Sequence, residues 1–377
     1  MFVALVTAAL GAEPALDLSR AVTMNSAASM GMGSAGMGFA SGSRGLFFHP
    51  AAPSVRPVEA RGPWGVLVTL NVSAFLRHSG IEAEELGLHE SSWVGLTVNT
   101  AVALRYRNGG GGVAYSTLLQ GSDGRWITTT EGHAVGSWAI PAWKAVFGAG
   151  SRIADAEIET PDGRRYYRGQ GLQTGFVLVD LVPDWNLAVC WRERIEAPAV
   201  SGALADVPEL AVMPWELGFG AAWMGGSPAF VLAQRPMRAA LDLQLEGPVE
   251  GGLAVESVTL GEELERGGTV SLSPRAGVEL EVIPEHLRVR AGSWLEPDRT
   301  GLARGRIHGT GGLETRLFEL PGPGGSRWPV SLSLAFDRAG GYTHLKWLAL
   351  GLWRSGVVGV PYGVQGPEPG MKNSSPL

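Results

Sequence analysis

The chain of 377 residues is long enough for one large domain or two ordinary ones. Charged residues make up 18% of it, against about 25% in soluble globular proteins, whereas glycine occurs 55 times and tryptophan 13 times. The formal net charge of −6 gives no basic surface, so nucleic acid is not an expected partner. The single cysteine, Cys190, excludes an intramolecular disulfide and a multi-cysteine metal site, and we interpret it as a small packing residue.

The N-terminal stretch 1–11, MFVALVTAALG, is almost entirely apolar and ends in Ala9-x-Gly11, a small-residue spacing that signal peptidases cleave. We interpret residues 1–12 as a secretory signal peptide, with a buried first strand as the alternative. The stretch is too short to span a bilayer as a helix.

Residues 21–43 are uncharged and long enough to span a membrane, but they are dense in glycine and serine. Each glycine in a helix costs about 1 kcal/mol relative to alanine. We therefore predict neither a helix in this run nor a helical membrane topology.

Beyond about residue 62, apolar side chains recur at every second position. Between residues 64 and 76 the odd positions include Thr69, Asn71 and Ser73, whereas the even positions are Trp64, Val66, Val68, Leu70, Val72, Ala74 and Leu76. A period of two places these sets on opposite faces of a sheet. A soluble β-sandwich shows the same alternation, but its strands have about five or six residues, whereas a tilted membrane-crossing strand needs about 9–11. The length of the segments favours membrane strands.

Counting along this alternation predicts about fourteen strands, an even number that returns both termini to one side of the membrane. The predicted spans are 64–77, 93–107, 113–120, 126–139, 142–158, 165–181, 185–196, 213–224, 237–258, 273–283, 286–296, 306–319, 328–337 and 342–353.

The connections between these strands alternate in character. Short turns occur at 108–112 (NGGGG) and, with proline, at 140–142, 182–184, 234–236, 283–285 and 320–322. Proline fixes φ and lacks an N–H, so it interrupts a strand ladder. The intervening connections are mostly longer and polar, at 78–92, 121–125, 161–165, 197–212, 261–269 and 296–305. Short turns at one rim and longer loops at the other are typical of outer-membrane barrels.

Tryptophans and charges fit the same arrangement. Tryptophans occur near predicted strand ends, where an aromatic girdle would lie: Trp64, Trp93, Trp126, Trp138, Trp143, Trp185, Trp294, Trp328 and Trp353. An arginine facing lipid near the midplane costs about 2–4 kcal/mol. Charges opposite the apolar set therefore predict a polar interior: Arg105, Arg192, Arg238, Asp242 and Arg290.

Residues 30–52 resemble the N-terminal region of the FadL-type outer-membrane protein superfamily, where a GMGGA-like stretch precedes an aromatic-x-Asn-Pro-Ala-Gly motif. Gly36-Met37-Gly38 matches the first part, and Phe47/Phe48-His49-Pro50-Ala51 matches the second. His49 replaces the asparagine and Ala52 the last glycine. Residues 282–292 and the closing strand 345–353 also look like segments of that family.

This resemblance implies an all-β fold, a closed antiparallel transmembrane barrel of fourteen strands with an N-terminal plug or hatch, in the outer membrane of a Gram-negative bacterium. We expect a signal peptide at 1–12, a plug at 13–62, a barrel at 63–354 and a disordered tail at 355–377. The tail departs from the family pattern, because such barrels often end on an aromatic residue.

No catalytic constellation is visible: G-x-S-x-G, H-E-x-x-H and G-x-x-x-x-G-K-[ST] are all absent from the sequence. We expect no enzyme, no cofactor and no metal site. Glu82, Glu84 and Glu85 are interpreted as a solvated loop, and residues 109–112 as a turn rather than a phosphate cradle. The histidines lack ligand spacing: His49, His78, His89, His133, His286, His308 and His344.

The best candidate for ligand contact is the segment 21–52, because methionine adapts to loosely defined hydrophobic ligands. The predicted ligand-binding or hatch residues are Met30, Met32, Gly36, Met37, Gly38, Phe47, Phe48, His49 and Pro50. A plug that merely fills the barrel is the alternative.

Three functions follow from these expectations. The first, implied by the resemblance, is passive uptake or binding of hydrophobic small molecules or lipids, such as fatty acids, by a barrel embedded in outer-membrane lipid. The second is a non-transporting anchor or shuttle whose partner is a secreted or surface protein. The third is a soluble secreted β-sandwich or repeat protein.

Overall fold

The computed structural model describes residues 14–19, 26–55, 64–78, 92–122, 124–204, 207–227, 235–255, 257, 265, 267–299, 305–321, 327–339 and 342–352. No helix in these ranges combines the length and apolarity needed to cross a membrane. The predicted signal segment 1–12, Met24, the cluster at Glu82, Glu84 and Glu85, and the tail 355–377 lie outside them.

The described chain is almost entirely β-structure. Its two short helices are α1 (Ala27–Met30) and α2 (Gly42–Gly45), and 3-10 turns lie at Met37–Phe39 and Pro141–Trp143. The strands are β1 (Ala15–Asp17), β2 (Trp64–His78), β3 (Ser92–Tyr106), β4 (Gly109–Ser122), β5 (Arg125–Ile140), β6 (Ala145–Thr160), β7 (Gly163–Val182), β8 (Trp185–Arg192), β9 (Ile195–Gly202), β10 (Leu210–Met213), β11 (Glu216–Gly226), β12 (Pro236–Glu246), β13 (Gly252–Ala254), β14 (Ser271–Ile283), β15 (Leu287–Glu296), β16 (Arg306–Pro321), β17 (Arg327–Ala339) and β18 (Tyr342–Leu352).

The long strands form one antiparallel sheet in chain order. Each strand from β2 to β7 pairs with its successor, β8 pairs with β11, and the series continues through β12 and β14 to β18. The last strand, β18, pairs with the first long strand, β2. The short turn predicted at 283–285 is confirmed, since it joins the antiparallel strands β14 and β15.

The two faces of this sheet have opposite polarity. We call the face that contacts the N-terminal segment 26–55 the inner face, and the other the outer face. On β2 the outer residues Val68 and Leu70 are 50% and 40% exposed, whereas the inner residues Thr69 and Asn71 are each 2% exposed. Arg105, Asp242 and Arg290 are likewise buried on the inner face, as the alternation predicts. A soluble sandwich buries its apolar face, so this sheet has the reverse arrangement.

This polarity changes along β6 and β7. Near the short turns Phe147 is exposed on the outer face. Toward the other end, which carries the longer connections and which we call the loop end, the outer face has ion pairs such as Arg168–Asp155. The inner face there buries Ile158 and Tyr167 in an apolar cluster. β6 and β7 therefore extend beyond the apolar band as an ordinary water-exposed sheet, which continues into β9, β10 and β1.

Two predicted strands end earlier than expected. The span 237–258 stops at Glu246, because Pro248 has no N–H and Gly251 adopts φ +62°; β13 follows as a separate strand parallel to β1. The span 185–196 stops at Arg192, where the Glu193 carboxylate accepts the Leu172 N–H at 2.9 Å and ends the ladder with β7. The predicted loop 197–212 contains most of β9 and the start of β10.

Two smaller expectations were also wrong. The turn predicted at 108–112 lies at Arg107 and Asn108, with Arg107 at φ +53°, and the four glycines belong to β4. Trp294 does not join an outer girdle: it is 4% exposed on the inner face, stacks on His308 and donates from Nε1 to Asp337 at 3.1 Å.

The exposure of the outer face leads to a test in lipid. Replacing Leu70, in the middle of β2, with arginine should lower the free energy of unfolding by about 2–4 kcal/mol, because the charge would lie among acyl chains. The same change at Val182, at the end of β7 next to a turn, should cost about 0–1 kcal/mol. Denaturant unfolding in phospholipid vesicles measures both, and equal costs at the two depths would contradict the prediction that the outer face contacts lipid.

Candidate functional site

The N-terminal segment 26–55 packs against the inner face as a series of tight turns. The Ser26 hydroxyl caps α1 by accepting the Ser29 N–H at 3.3 Å, and Gly33 and Gly42 adopt φ +66° and +59°. Met30 and Leu46 are fully buried. Glycine and serine thus provide the turns, while the larger side chains provide apolar contact.

Inner-face side chains hold the backbone of this segment. Asp242 on β12 accepts the Gly36 N–H at 2.7 Å and the Met37 N–H at 3.0 Å through Oδ2. Asn186 on β8 donates to the Gly38 carbonyl at 3.0 Å. Thr310 on β16 accepts the Gly33 N–H at 2.8 Å. Because these bonds satisfy buried backbone groups, they both fix the segment and remove the cost of burying it.

An ion pair also joins the segment to β16. Arg44 Nη2 lies 2.9 Å from Glu314 Oε1, and Glu314 also pairs with Arg290 and accepts from Ser331 at 2.7 Å. Glu314 is fully buried. A buried carboxylate needs such partners, because removing a partner leaves an unpaired charge away from water.

The end of the segment nearest the turns is apolar. Phe47, Phe48 and Ala51 pack with Val177 and Val179 of β7 in one buried cluster. Close approach is possible because Gly148 of β6 lies directly beneath: a Cβ there would collide with the backbone of Pro50 and Ala51.

His49 is neutral in this setting. The Ala51 N–H donates to its Nδ1 at 3.1 Å, so the proton is on Nε2, which donates to the Val189 carbonyl at 2.9 Å. Burial, reinforced by the positive charge of Arg192, lowers the pKa of His49 to about 4.

Strand β1 joins several connections at the loop end. This strand pairs in parallel with both β10 and β13, which belong to two different connections. Asp17 at its end pairs with the buried Arg299 at 3.3 Å, and Arg299 also donates to the Gly247 carbonyl at 3.2 Å. Three loop-end connections are therefore joined to one short strand.

Between the segment and the inner face lies a cavity of about 90 Å³. Its apolar wall includes Met37, Phe47, Phe48 and Met213. The rest of its lining is Leu18, Ser19, Ser34, Ser116, Glu131, His133, Arg152, Cys190, Arg192, Pro214, Glu216, Gly218, Asp242, Gln244, Glu246 and Arg275. The cavity is thus amphipathic, with aromatic rings and methionines facing charged groups.

Most charges of this lining neutralise each other. Arg152 lies between Glu131 and Glu216, with both of which it forms ion pairs. Arg192 Nη1 contacts Glu216 Oε2 at 2.9 Å, and its Nη2 donates to the Phe47 carbonyl at 2.7 Å. Arg192 therefore both forms part of the cavity wall and holds the N-terminal segment in position.

The structure separates the candidate residues into two groups. Met37, Phe47 and Phe48 line the cavity. The others contact the sheet or the segment itself: Met30, Met32, Gly36, Gly38, His49 and Pro50.

The site residues predicted from the sequence do not include Glu131, His133, Arg152, Glu216 or Arg275. They belong to no motif, and the one signal that could have marked them is their place on the polar side of the alternation. Cys190 is buried and free, as expected for a packing residue.

Removing the Asp242 carboxylate should loosen the segment. In Asp242→Ala two backbone N–H groups lose their acceptor, which costs about 1–3 kcal/mol for each buried group left unpaired. Trypsin should then cleave after Arg44 at least tenfold faster. Ser333→Ala, which removes a buried hydroxyl that has no hydrogen bond, is the control and should leave the rate unchanged. If Asp242→Ala resists trypsin like the wild type, Asp242 does not hold the segment.

The lowered pKa of His49 predicts that acid weakens the docking of its segment. Above pH 6.5 both the docked and the released forms are neutral, and docking has its full strength. Between pH 6.5 and about 4 only the released form takes up a proton, so docking loses up to about 3 kcal/mol. Amide hydrogen exchange over residues 47–55 should rise between pH 7 and pH 5 in the wild type, after correction for intrinsic rates. It should not do so in His49→Asn; equal pH dependence in both would refute this role.

No protein-family model matches the sequence, and no curated protein matches it. Solved structures do match its fold. The CymD monoaromatic hydrocarbon channel has a TM-score of 0.57 and 12% identity, with 87% of this chain and 96% of that chain covered. A Pseudomonas aeruginosa FadL homologue has a TM-score of 0.54 and 11% identity, with coverage of 87% and 96%. The Pseudomonas putida toluene transporter TodX has a TM-score of 0.51 and 12% identity, with coverage of 90% and 99%.

These matches extend over most of both chains at identities that carry information on fold alone. They agree with the resemblance seen at residues 30–52 and with the order of strand pairing. The chain has the fold of the FadL-type outer-membrane barrels.

Proposed function

We propose that the protein is a closed outer-membrane barrel of a Gram-negative bacterium that takes up or binds hydrophobic small molecules, such as fatty acids, without an energy source. The observation that carries the proposal is the reversed polarity of the sheet, apolar outside and charged inside. A water-soluble protein would leave the exposed apolar face unprotected, whereas a bilayer would cover it.

The barrel would have fourteen strands, β2–β8, β11, β12 and β14–β18. The pairing of β18 with β2 supports closure, since it leaves neither strand with a free edge on that side. Residues 63–354 would form this barrel and residues 13–62 its plug, with 1–12 as signal peptide and 355–377 as a disordered tail.

Within the plug, Met37, Phe47 and Phe48 would contact the hydrophobic ligand, because they line the cavity. The remaining candidates would hold the plug in place: Met30, Met32, Gly36, Gly38, His49 and Pro50. Two structural neighbours are named for hydrocarbon or toluene transport, which supports a hydrophobic cargo for this chain. No observation on the described residues favours the anchor or shuttle alternative.

The proposal predicts that the plug controls passage. Deleting residues 21–43 should either raise the permeability of proteoliposomes to hydrophobic solutes or abolish uptake, because the deletion removes Met37 and the contacts of Gly33, Gly36 and Gly38 with the sheet. The measurement is solute entry into vesicles that contain the full-length protein, the deletion variant or Ser333→Ala, which should behave as the wild type.

Before this measurement, fractionation of cells and heat-modifiable gel mobility establish that each variant is an inserted barrel. Equal permeability and equal uptake for the deletion variant and the wild type would contradict the proposal that the plug controls passage. If the protein captures one secreted protein and transports no solute, the result would favour the anchor or shuttle function instead.

A further inference from the structure

A buried histidine lies between two carboxylates near the loop end of the inner face. His308, the third residue of β16, is fully buried. Its Nδ1 lies 2.8 Å from Asp337 Oδ1 on β17, and its Nε2 lies 3.0 Å from Glu296 Oε2 on β15. Three neighbouring strands therefore meet at one imidazole ring.

The geometry of these contacts indicates that the ring is charged. A neutral imidazole has one N–H donor and one lone-pair acceptor, whereas an imidazolium has two donors, and an ionised carboxylate is only an acceptor. A neutral His308 would therefore direct a lone pair at one of the two carboxylates. An imidazolium instead donates a charge-assisted hydrogen bond to each of them.

The other partners of the two carboxylates support the same protonation state. Arg306 Nε donates to Glu296 Oε2 at 2.8 Å, and Trp294 Nε1 donates to Asp337 Oδ2 at 3.1 Å. Both carboxylates thus accept from other donors as well, as ionised groups do. With one arginine for two buried carboxylates, an imidazolium makes this group of side chains neutral, whereas a neutral ring leaves a negative charge away from water.

The indole of Trp294 covers one face of the ring. The two rings stack with their centroids 3.9 Å apart at an interplanar angle of 25°, an arrangement in which the π electrons attract a cation. The guanidinium of Arg275 on β14 lies 5.8 Å from the centre of the same indole. The carboxylates outweigh this like charge, because Coulomb energy falls with distance and they contact the imidazole directly.

We propose that His308 is a proton-dependent clamp on the loop ends of β15, β16 and β17. As an imidazolium it bonds to Glu296 and Asp337 at once. Without the proton it bonds to one of them and repels the other, which loses a buried hydrogen bond. The clamp therefore holds at neutral pH and loosens in alkaline medium.

The direction of the pH dependence follows from the two states of the chain. A histidine of the unfolded chain titrates at about pH 6.5. Just below that pH both the folded and the unfolded chain carry the proton, and the clamp has its full strength. As the pH rises, the unfolded chain gives up its proton while the paired ring keeps it, and the stabilisation is lost once the buried ring is also deprotonated.

Nitrogen NMR of the full-length protein in detergent, with ¹⁵N-labelled histidines, tests the charge directly. At pH 8 both ring nitrogens of His308 should resonate as those of an imidazolium, unlike free histidine at that pH. The signals missing from His308→Arg or His308→Gln identify the residue. His286→Gln, at an exposed position of the turn between β14 and β15, is the control and should leave those signals in place. A neutral His308 ring at pH 8 would overturn the inference.

A nitroxide at Ile307→Cys, in a Cys190→Ala background, tests the clamp itself. Ile307 is 74% exposed on the outer face beside His308. From pH 7 to pH 10 the rotational correlation time of this label should fall at least twofold. In His308→Arg, whose charge does not titrate in this range, it should stay constant. In His308→Gln the label should be mobile already at pH 7.

The same label at Val68→Cys on β2, far from the clamp in the order of strands, should not respond to pH. Heat-modifiable mobility shows which variants fold. Constant mobility at residue 307 up to pH 10, or an equal rise in His308→Arg, would overturn the inference. If neither His308 variant folds, the comparison of residues 307 and 68 in the protein that retains His308 decides. Neither experiment depends on whether a solute passes through the protein.

Discussion

The structure depends on one constraint, the separation of apolar and charged side chains onto opposite faces of each long strand. A sheet with an exposed apolar outer face is stable only against lipid, and a charged inner face is stable only if each buried ion has a partner. The inner face satisfies the second condition with ion pairs between neighbouring strands, such as Arg288–Glu281 and Arg290–Glu279. The N-terminal segment supplies further partners, such as Arg44 for Glu314.

The N-terminal segment is therefore part of the electrostatic structure of the interior. Arg44 pairs with Glu314, and the backbone N–H groups of Gly36 and Met37 donate to Asp242 Oδ2. A segment held this way does not diffuse freely out of the interior. In the proposed uptake, passage of a solute would require local displacement of this segment, and the cavity beside Met37 and Phe47 is a place where the segment leaves space.

The loop end adds a second restraint. There β6 and β7 leave the apolar band, and their faces exchange polarity, so that Ile158 and Tyr167 form an ordinary buried core with β1 and its neighbours. Asp17 and Arg299 tie this small sheet to the connections above β12 and β15. The N-terminal part of the chain is thus held at two places, by the ion pair of Asp17 near the loops and by the apolar packing of residues 47–51 near the turns.

Much of the fold was predictable because alternation with a period of two is a local signal. The bounds of β2, β3, β5 and β16 agree with the predicted spans within one or two residues at each end. The predictions failed where the chain leaves the main sheet, at β9, β10 and β13, since their pairing with β1 is set by contacts distant in sequence. Trp294 was misplaced for a related reason: a strand-end position does not say which face a side chain occupies.

The candidate site was predictable only in part. The methionines and phenylalanines of residues 30–50 could be found from composition and from the family resemblance. The charged wall of the cavity could not, because alternation places Arg152, Arg192 and Glu216 on the inner face but does not say which charges pair. Those pairs join strands that are distant in sequence.

The most direct measurement of the face separation is a nitroxide scan along residues 66–73 in vesicles, in a Cys190→Ala background that removes the native thiol. If the outer face meets lipid, accessibility to oxygen should alternate with a period of two. Maxima should fall at Val66, Val68, Leu70 and Val72, and the water-soluble relaxation agent should be excluded from those sites. Uniform accessibility, or maxima at Thr69 and Asn71, would contradict the arrangement on which the rest of the structure depends.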